Sequence, residues 1–209
     1  MLKKTSVFLV VIILLVISFW KKDTWIDIIK EGKSISTLIS IMMIAITANF
    51  PIIPFILAVG IIVAVFGILK GALITLVGVC GGALIIFFLT RYSIQDWARK
   101  KIIKYRGIQN YDHYFAENAF KNVFFLGGLF PIIPSPIMSS LCGLSNIRWT
   151  VFFFASLLGQ IPRVFIMTIS TANFPTNKLL SIGVYGTYLA VVMVFGFKKF
   201  PHVIRLTRR

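Results

Sequence analysis

Apolar positions in this chain come in runs of membrane length separated by short polar intervals, and two of those runs are broken near their middles by paired prolines. Residues 5–20 form a first run between Lys3-Lys4 and Lys21-Lys22, just long enough to cross a bilayer if the flanking lysines snorkel. A basic start and an apolar core resemble a signal peptide, but Ile17-Ser18-Phe19-Trp20 offers no small-residue cleavage site, so the run reads as a retained anchor. Residues 34–69 are apolar but interrupted by Asn49, Pro51 and Pro54. At ~1.5 Å per helical residue the run is too long for one crossing, and its break falls where a hairpin would turn. A re-entrant hairpin or two short crossings both satisfy that pattern. Residues 71–90 form an uninterrupted span ending at Arg91-Tyr92, a cation and an aromatic suited to the interface. Residues 123–147 are apolar and punctured by Pro131, Pro134 and Pro136, giving a second hairpin candidate. Residues 149–169 and 179–197 are two further spans, so about four transmembrane helices are expected beside the two hairpins.

The two broken runs share the pentapeptide Phe-Pro-Ile-Ile-Pro, at 50–54 and again at 130–134. A glycine follows each copy, Gly60 and Gly143, and another comes later at a similar distance, Gly78 and Gly159. Proline removes a backbone donor and breaks helices, so two prolines per copy imply non-helical backbone at bilayer depth. Such backbone survives in hydrocarbon only where protein buries it or where it lines a wet cavity. Matching interruptions in two halves are a pointer to a transport site at the interface of inverted repeats. The fold expected is therefore an all-α polytopic membrane protein, an inverted repeat with two opposed re-entrant helical hairpins. It divides into an anchor and loop (1–33), a first half (34–92), an interfacial segment (93–121), a second half (122–172), and a last helix with a basic tail (173–209).

The interfacial segment carries Ile94, Trp97, Ala98, Ile102 and Tyr105 at helical spacing, with Arg99, Lys100, Lys101 and Lys104 beside them. That is the pattern of an amphipathic helix lying on a membrane surface and attracting anionic lipid. The net charge of +16 invites a nucleic-acid reading, but the basic residues flank hydrophobic spans instead of forming a separate patch, and nucleic acid is not expected as a partner. With both termini placed in the cytoplasm, only Lys21, Lys22, Lys30, Lys33, Lys70 and Lys178 fall outside, and Arg163 falls within a span. Every other lysine and arginine is then cytoplasmic, as the positive-inside rule requires. A multi-pass protein of the cell membrane follows. Hydrophobic residues make up 58% of the 209, which agrees with that class and leaves no room for a soluble module.

The segments AVGIIVAVFGILKGALITLVGVCGGALIIFFLTRY and LFPIIPSPIMSSLCGLSNIRWTVFFFASLLGQIP resemble the DedA/VTT superfamily, also called the SNARE-associated Golgi protein family. The matching positions are Pro51, Gly60, Phe66-Gly67, Gly71, Gly78, Gly82, Phe87 and Arg91-Tyr92, then Pro131, Pro134, Gly143, Phe152, Gly159 and Pro162. The resemblance implies opposed re-entrant hairpins and movement of lipid between leaflets, with polyprenyl phosphate or phospholipid as cargo. The chain departs from the family in two ways. Gly127-Gly128 stand where many relatives carry an arginine before the second hairpin's proline. The acidic residues proposed to couple relatives to protons are also missing, since Asp23, Asp27, Glu31, Asp96, Asp112 and Glu117 all lie in polar segments. Passive exchange therefore fits better than proton-driven pumping, because membrane proton relays use buried acidic groups or histidines.

Candidate pathway residues are Asn49, Pro51, Pro54, Pro131, Pro134, Ser135 and Arg163. Asn49 and Ser135 suit a headgroup or equally the capping of a broken helix end. Arg163 follows Pro162 within a span. A mid-helix arginine costs at least ~2.5–3.5 kcal/mol, so it should face protein or a wet groove. Its planar donor fork suits phosphate, and hydrogen bonding to hairpin carbonyls is the structural alternative. Gly67/Gly71 and Gly78/Gly82 read as small-xxx-small helix packing. Gly60, Gly143 and Gly159 join them as structural glycines, and Arg91 joins the basic interfacial residues at the membrane surface. Cys80 and Cys142 lie in apolar segments, unsuited to a disulfide framework or a metal site, so no metal or cofactor is expected. There is no nucleophile elbow, no HExxH and no phosphate loop, and enzyme activity is not expected. The reading is an integral membrane lipid transporter for an anionic lipid. The alternative is a membrane-organising protein that binds anionic lipid or a partner without transport; either reading allows a homo-oligomer. A small-solute transporter fits less well, because the hairpins offer few polar groups to shape a pocket.

Overall fold

The computed structural model describes residues 27–29, 34–50, 54–94, 119–129 and 134–199. The anchor 5–20, Pro51, Pro131, the surface residues Arg99, Lys100, Lys101 and Lys104, and the tail beyond residue 199 lie outside the described residues. Everything regular among the described residues is helical: α1 (Ser34–Asn49), α2 (Phe55–Leu89) with a π-helical end (Thr90–Ile94), α3 (Ala119–Asn122) running into a π segment (Val123–Leu129), α4 (Ser135–Leu144), α5 (Trp149–Asn173) and α6 (Lys178–Lys199). Three stretches, Phe55–Ser93, Trp149–Asn173 and Lys178–Phe195, are long and apolar enough to cross a membrane. α2 shows why. Leu69, Leu73, Val77 and Ile85 form an exposed apolar stripe at helical spacing, while Gly71, Thr75, Gly78 and Gly82 lie buried. A helix that exposes leucine and buries glycine is sorted for a lipid surround, where close backbone approach replaces the hydrophobic effect as the force that packs helices.

α2 is two helices joined at Gly67, which has φ 77° and ψ 175°. That region of backbone space is essentially open to glycine alone. The chain folds back there: a Cβ built on Gly71 would lie 3.2 Å from the Cα of Val63, eight positions earlier, where a straight helix would separate them by ~12 Å. Span and hairpin therefore meet at Gly67, with Lys70 already inside the helix that follows. Gly67 serves the turn and packs against nothing within 4 Å, which corrects its assignment to close helix packing.

α1 lies along the second arm of α2, residues 68–89, and runs the same way. Ile41 and Ile44 abut Gly78, and Ala45 and Asn49 abut Gly82. The first arm, residues 55–66, returns beside it, and Met43, Ile44, Ala58, Val59, Ile62 and Val63 form one buried cluster with Ile74 and Val79. The C-terminal tip of α1 thus stops beside Gly82, roughly 20 Å along the arm from the Gly67 turn. The second pair enters from the opposite end. Ala119 and Val123 cluster with Phe87, Phe152 and Ala155 near Arg91, and Phe124 and Gly128 reach Gly159. After the break α4 returns, and Gly143 comes to rest on Phe87 and Thr90. α5 runs antiparallel to the second arm of α2: Phe152 stacks on Phe87 at 4.7 Å, and further along Val164 packs with Ala72, Leu76 and Cys80. α6 follows a short turn and is tied to α5 by the Ser170 hydroxyl donating to the Ser181 carbonyl at 2.5 Å.

Candidate functional site

The last prolines of the two copies, Pro54 and Pro134, adopt one local geometry. Pro54 (φ −53°, ψ 122°) and Pro134 (φ −55°, ψ 136°) each stand just before a helix. There the missing N–H costs nothing and the fixed φ suits entry. Each carbonyl accepts two amides of the new helix, Leu57 and Ala58 at 2.9 and 3.3 Å, Ile137 and Met138 at 3.0 and 3.1 Å. Neither helix start has a side-chain cap, so Ser135 does not cap its helix. Its carbonyl instead accepts the Ser139 hydroxyl at 2.8 Å. Asn49 closes the preceding helix: its Nδ2 donates to the Ala45 carbonyl at 2.7 Å, as the capping alternative expects, yet its buried Oδ1 has no partner.

The described ends of both helix pairs lie partway along the bundle. The second is fixed from two directions. Gly128 meets Gly159, ten residues into α5, and the Leu129 carbonyl accepts the Tyr188 hydroxyl at 3.1 Å, ten residues into α6. Ten residues of helix is ~15 Å, so the tip lies ~15 Å from either end of the bundle. The close approach accounts for the diglycine. A Cβ on Gly128 would fall 2.5 Å from the Gly159 Cα, and one on Gly159 would fall 2.6 Å from the Phe124 carbonyl oxygen. No arginine fits at residue 128.

Arg163 lies one turn beyond Gly159 on α5, partly buried, with Tyr185, Tyr188 and Cys80 as its electrostatic neighbours. Cys80 lies between Gly78 and Gly82, the stretch of α2 that α1 covers. The guanidinium thus sits between the level of the first tip and the tyrosine that holds the second. Four buried side chains nearby in sequence to these contacts each keep one polar atom without a hydrogen-bond partner: Asn49 Oδ1, Thr75 Oγ1, Asn122 Nδ2 and Gln160 Oε1. Such atoms in an otherwise apolar interior are expensive unless a polar occupant or water meets them.

Of the sequence-derived candidates, Asn49 ends α1, Pro54 precedes α2, Pro134 and Ser135 open α4, and Arg163 lies on α5. Gly78, Gly82, Gly143 and Gly159 are close-contact glycines, and Gly60 makes only ordinary contact with Thr171 at 3.9 Å. Arg91 is more than a surface charge, since it donates to the Ser145 carbonyl at 2.6 Å and stacks over Phe87 at 4.4 Å. Tyr185, Tyr188, Asn122 and Gln160 escaped sequence reasoning. Their signal was polarity within apolar runs, the same that singled out Arg163. Cys80 and Cys142 are free, buried thiols. Among the described residues no cluster of His, Cys, Asp or Glu is placed to hold a metal ion.

The architecture defines a helical membrane protein built around two proline-broken helix pairs. Residues 50–173 match the VTT domain family. The chain is 48% identical over 209 residues, the full length of both chains, to the uncharacterized protein YqeD of Bacillus subtilis (strain 168). The chain therefore belongs to the VTT-domain (DedA) superfamily. No solved structure matches it.

Proposed function

We propose that the two helix pairs are re-entrant hairpins related as an inverted repeat, and that an anionic lipid headgroup crosses between leaflets through a groove at their tips. The observation that carries this reading is a reciprocal approach. The returning helix of each pair lies beside the far end of the other half's long helix: a Cβ on Gly60 would fall 3.9 Å from the Thr171 Cβ, and one on Gly143 would fall 2.9 Å from the Thr90 Cβ. The two halves also keep one spacing, twelve positions from Gly78 to Thr90 (90 − 78) and from Gly159 to Thr171 (171 − 159). The tips approach mid-depth from opposite ends, which is where transporters of this construction place substrate. Arg163 supplies the cation for a phosphate, and the broken backbone supplies polar groups that hydrocarbon would not tolerate.

The protein is then a multi-pass membrane protein with cytoplasmic termini, membrane lipid is its partner, and exchange is passive, with no chemical step. The test is reconstitution in liposomes carrying a fluorescent anionic lipid. Dithionite should bleach the inner-leaflet fraction as well as the outer. Bleaching arrested at the outer-leaflet fraction would sink the reading and leave lipid binding without transport.

A further inference from the structure

At the Arg91 end, away from the hairpin tips, a cavity of about 430 Å³ is lined by Arg91, Asn146, Ile147, Arg148, Trp149 and Thr150. Three sources of positive potential converge on it. Arg91 is held in place by the Ser145 carbonyl at 2.6 Å and the Phe87 ring at 4.4 Å. Arg148 is exposed, and its side chain makes no cap bond to the helix it precedes. The first-turn amides of the 25-residue α5 therefore add the positive end of a long helix dipole, with Trp149 and Thr150 in the cavity wall. Residues 146–150, which build most of this wall, belong to a stretch with no Asp or Glu after Glu117. Aromatic residues set the depth. Trp149 is half exposed, Tyr92 is 71% exposed, and both flank Phe88, as rings at the headgroup level of a bilayer do.

We propose that this cavity binds the phosphate of a lipid headgroup at the membrane surface, with Arg91 as a fixed cation and Arg148 as an arm that closes on the anion. Paired guanidiniums over a helix N-terminus match a phosphate monoester in charge and in donor geometry. Arg163 lies fifteen positions further along α5, ~22 Å away, so this is a second site and its occupancy requires no translocation.

Binding of short-chain phosphatidic acid, short-chain phosphatidylcholine and inorganic phosphate to the full-length protein in detergent tests it, with melting temperature as the check on folding. Phosphatidic acid should bind more tightly than phosphatidylcholine. Arg148→Ala should weaken it roughly tenfold, the worth of one charge-assisted hydrogen bond, and Arg148→Lys should weaken it less. Arg91→Lys, which keeps the charge and loses the guanidinium contacts to Ser145 and Phe87, should also weaken binding. Inorganic phosphate that competes at equal affinity identifies a free-anion site, and phosphate that fails to compete identifies the lipid headgroup as the source; either result supports phosphate recognition here. Wild-type affinity in folded Arg148→Ala and Arg91→Lys, or equal affinity for phosphatidylcholine, overturns the proposal. Because the readout is binding, it holds or fails independently of whether liposomes show lipid exchange.

Discussion

Arg163 is the residue whose chemistry separates a pathway from a scaffold. A charge at this depth is costly, and its neighbours are two tyrosines and a cysteine, with no carboxylate among them. A purely structural arginine would satisfy its donors on carbonyls. Yet the Leu129 carbonyl at the second tip is taken by Tyr188, and Arg163 makes no hydrogen bond to another described residue. Among the described residues, then, no acceptor competes with a transient anion for its donors. Arg163→Leu should insert and fold at least as well as wild type and slow lipid exchange tenfold or more, since charge-assisted hydrogen bonds contribute ~1.5–3 kcal/mol. Arg163→Lys keeps the charge but loses the planar fork, and should fall between the two. The check is the initial rate of dithionite-accessible lipid exchange at matched protein density. A wild-type rate in Arg163→Leu would return the arginine to a structural role and leave the hairpin argument standing.

At the scale of elements, each turn depends on a different backbone device. α2 and α4 each start after a proline, whose fixed φ and absent donor begin a helix without a cap. The join between the first hairpin and the span uses glycine, because φ 77° with ψ 175° excludes other residues. Gly67 and Gly81 make a matched pair for measuring this, since a Cβ at either meets nothing within 4 Å. Gly67→Ala should destabilise by about 1–3 kcal/mol, the cost of that backbone region, while Gly81→Ala should be neutral or slightly stabilising. Denaturation of both variants in detergent measures the difference. Equal stability would mean that the Gly67 turn relaxes at no cost, and the fold-back between Val63 and Gly71 would lose its explanation.

For the whole molecule, the contacts place Lys70 and the 174–177 turn at one end and Arg91 and Arg148 at the other. Gly60 meets Thr171 at the first, and Phe88 meets Trp149 at the second. In the proposed orientation, which follows the positive-inside rule, the second end is cytoplasmic. Single cysteines introduced at Lys70 or Thr176 should react with an impermeant maleimide added outside intact cells, and one at Arg148 should react only after permeabilisation. The buried native thiols of Cys80 and Cys142 should stay silent. The reverse pattern would invert the orientation, and labelling of Lys70 and Thr176 from opposite sides would break the two-ended architecture altogether.

Much of this was written in the chain. Apolar run length sets which helices can span, and proline pairs set where they must break. The doubled Phe-Pro-Ile-Ile-Pro marks the two breaks as equivalent, and the structure gives Pro54 and Pro134 nearly the same backbone angles. Those properties are local, since they depend on hydropathy and on the covalent geometry of proline, and so a sequence displays them. Other features depend on what comes alongside. The fold-back at Gly67, the closure of Gly128 on Gly159, the bond from Tyr188 to Leu129, and the gathering of Arg91, Asn146 and Arg148 around one cavity join positions distant in sequence. A glycine in an apolar run reads the same whether it turns the chain, admits another backbone, or faces open space as Gly81 does. Only the neighbour that packs against it decides which, and that neighbour is supplied by the tertiary structure.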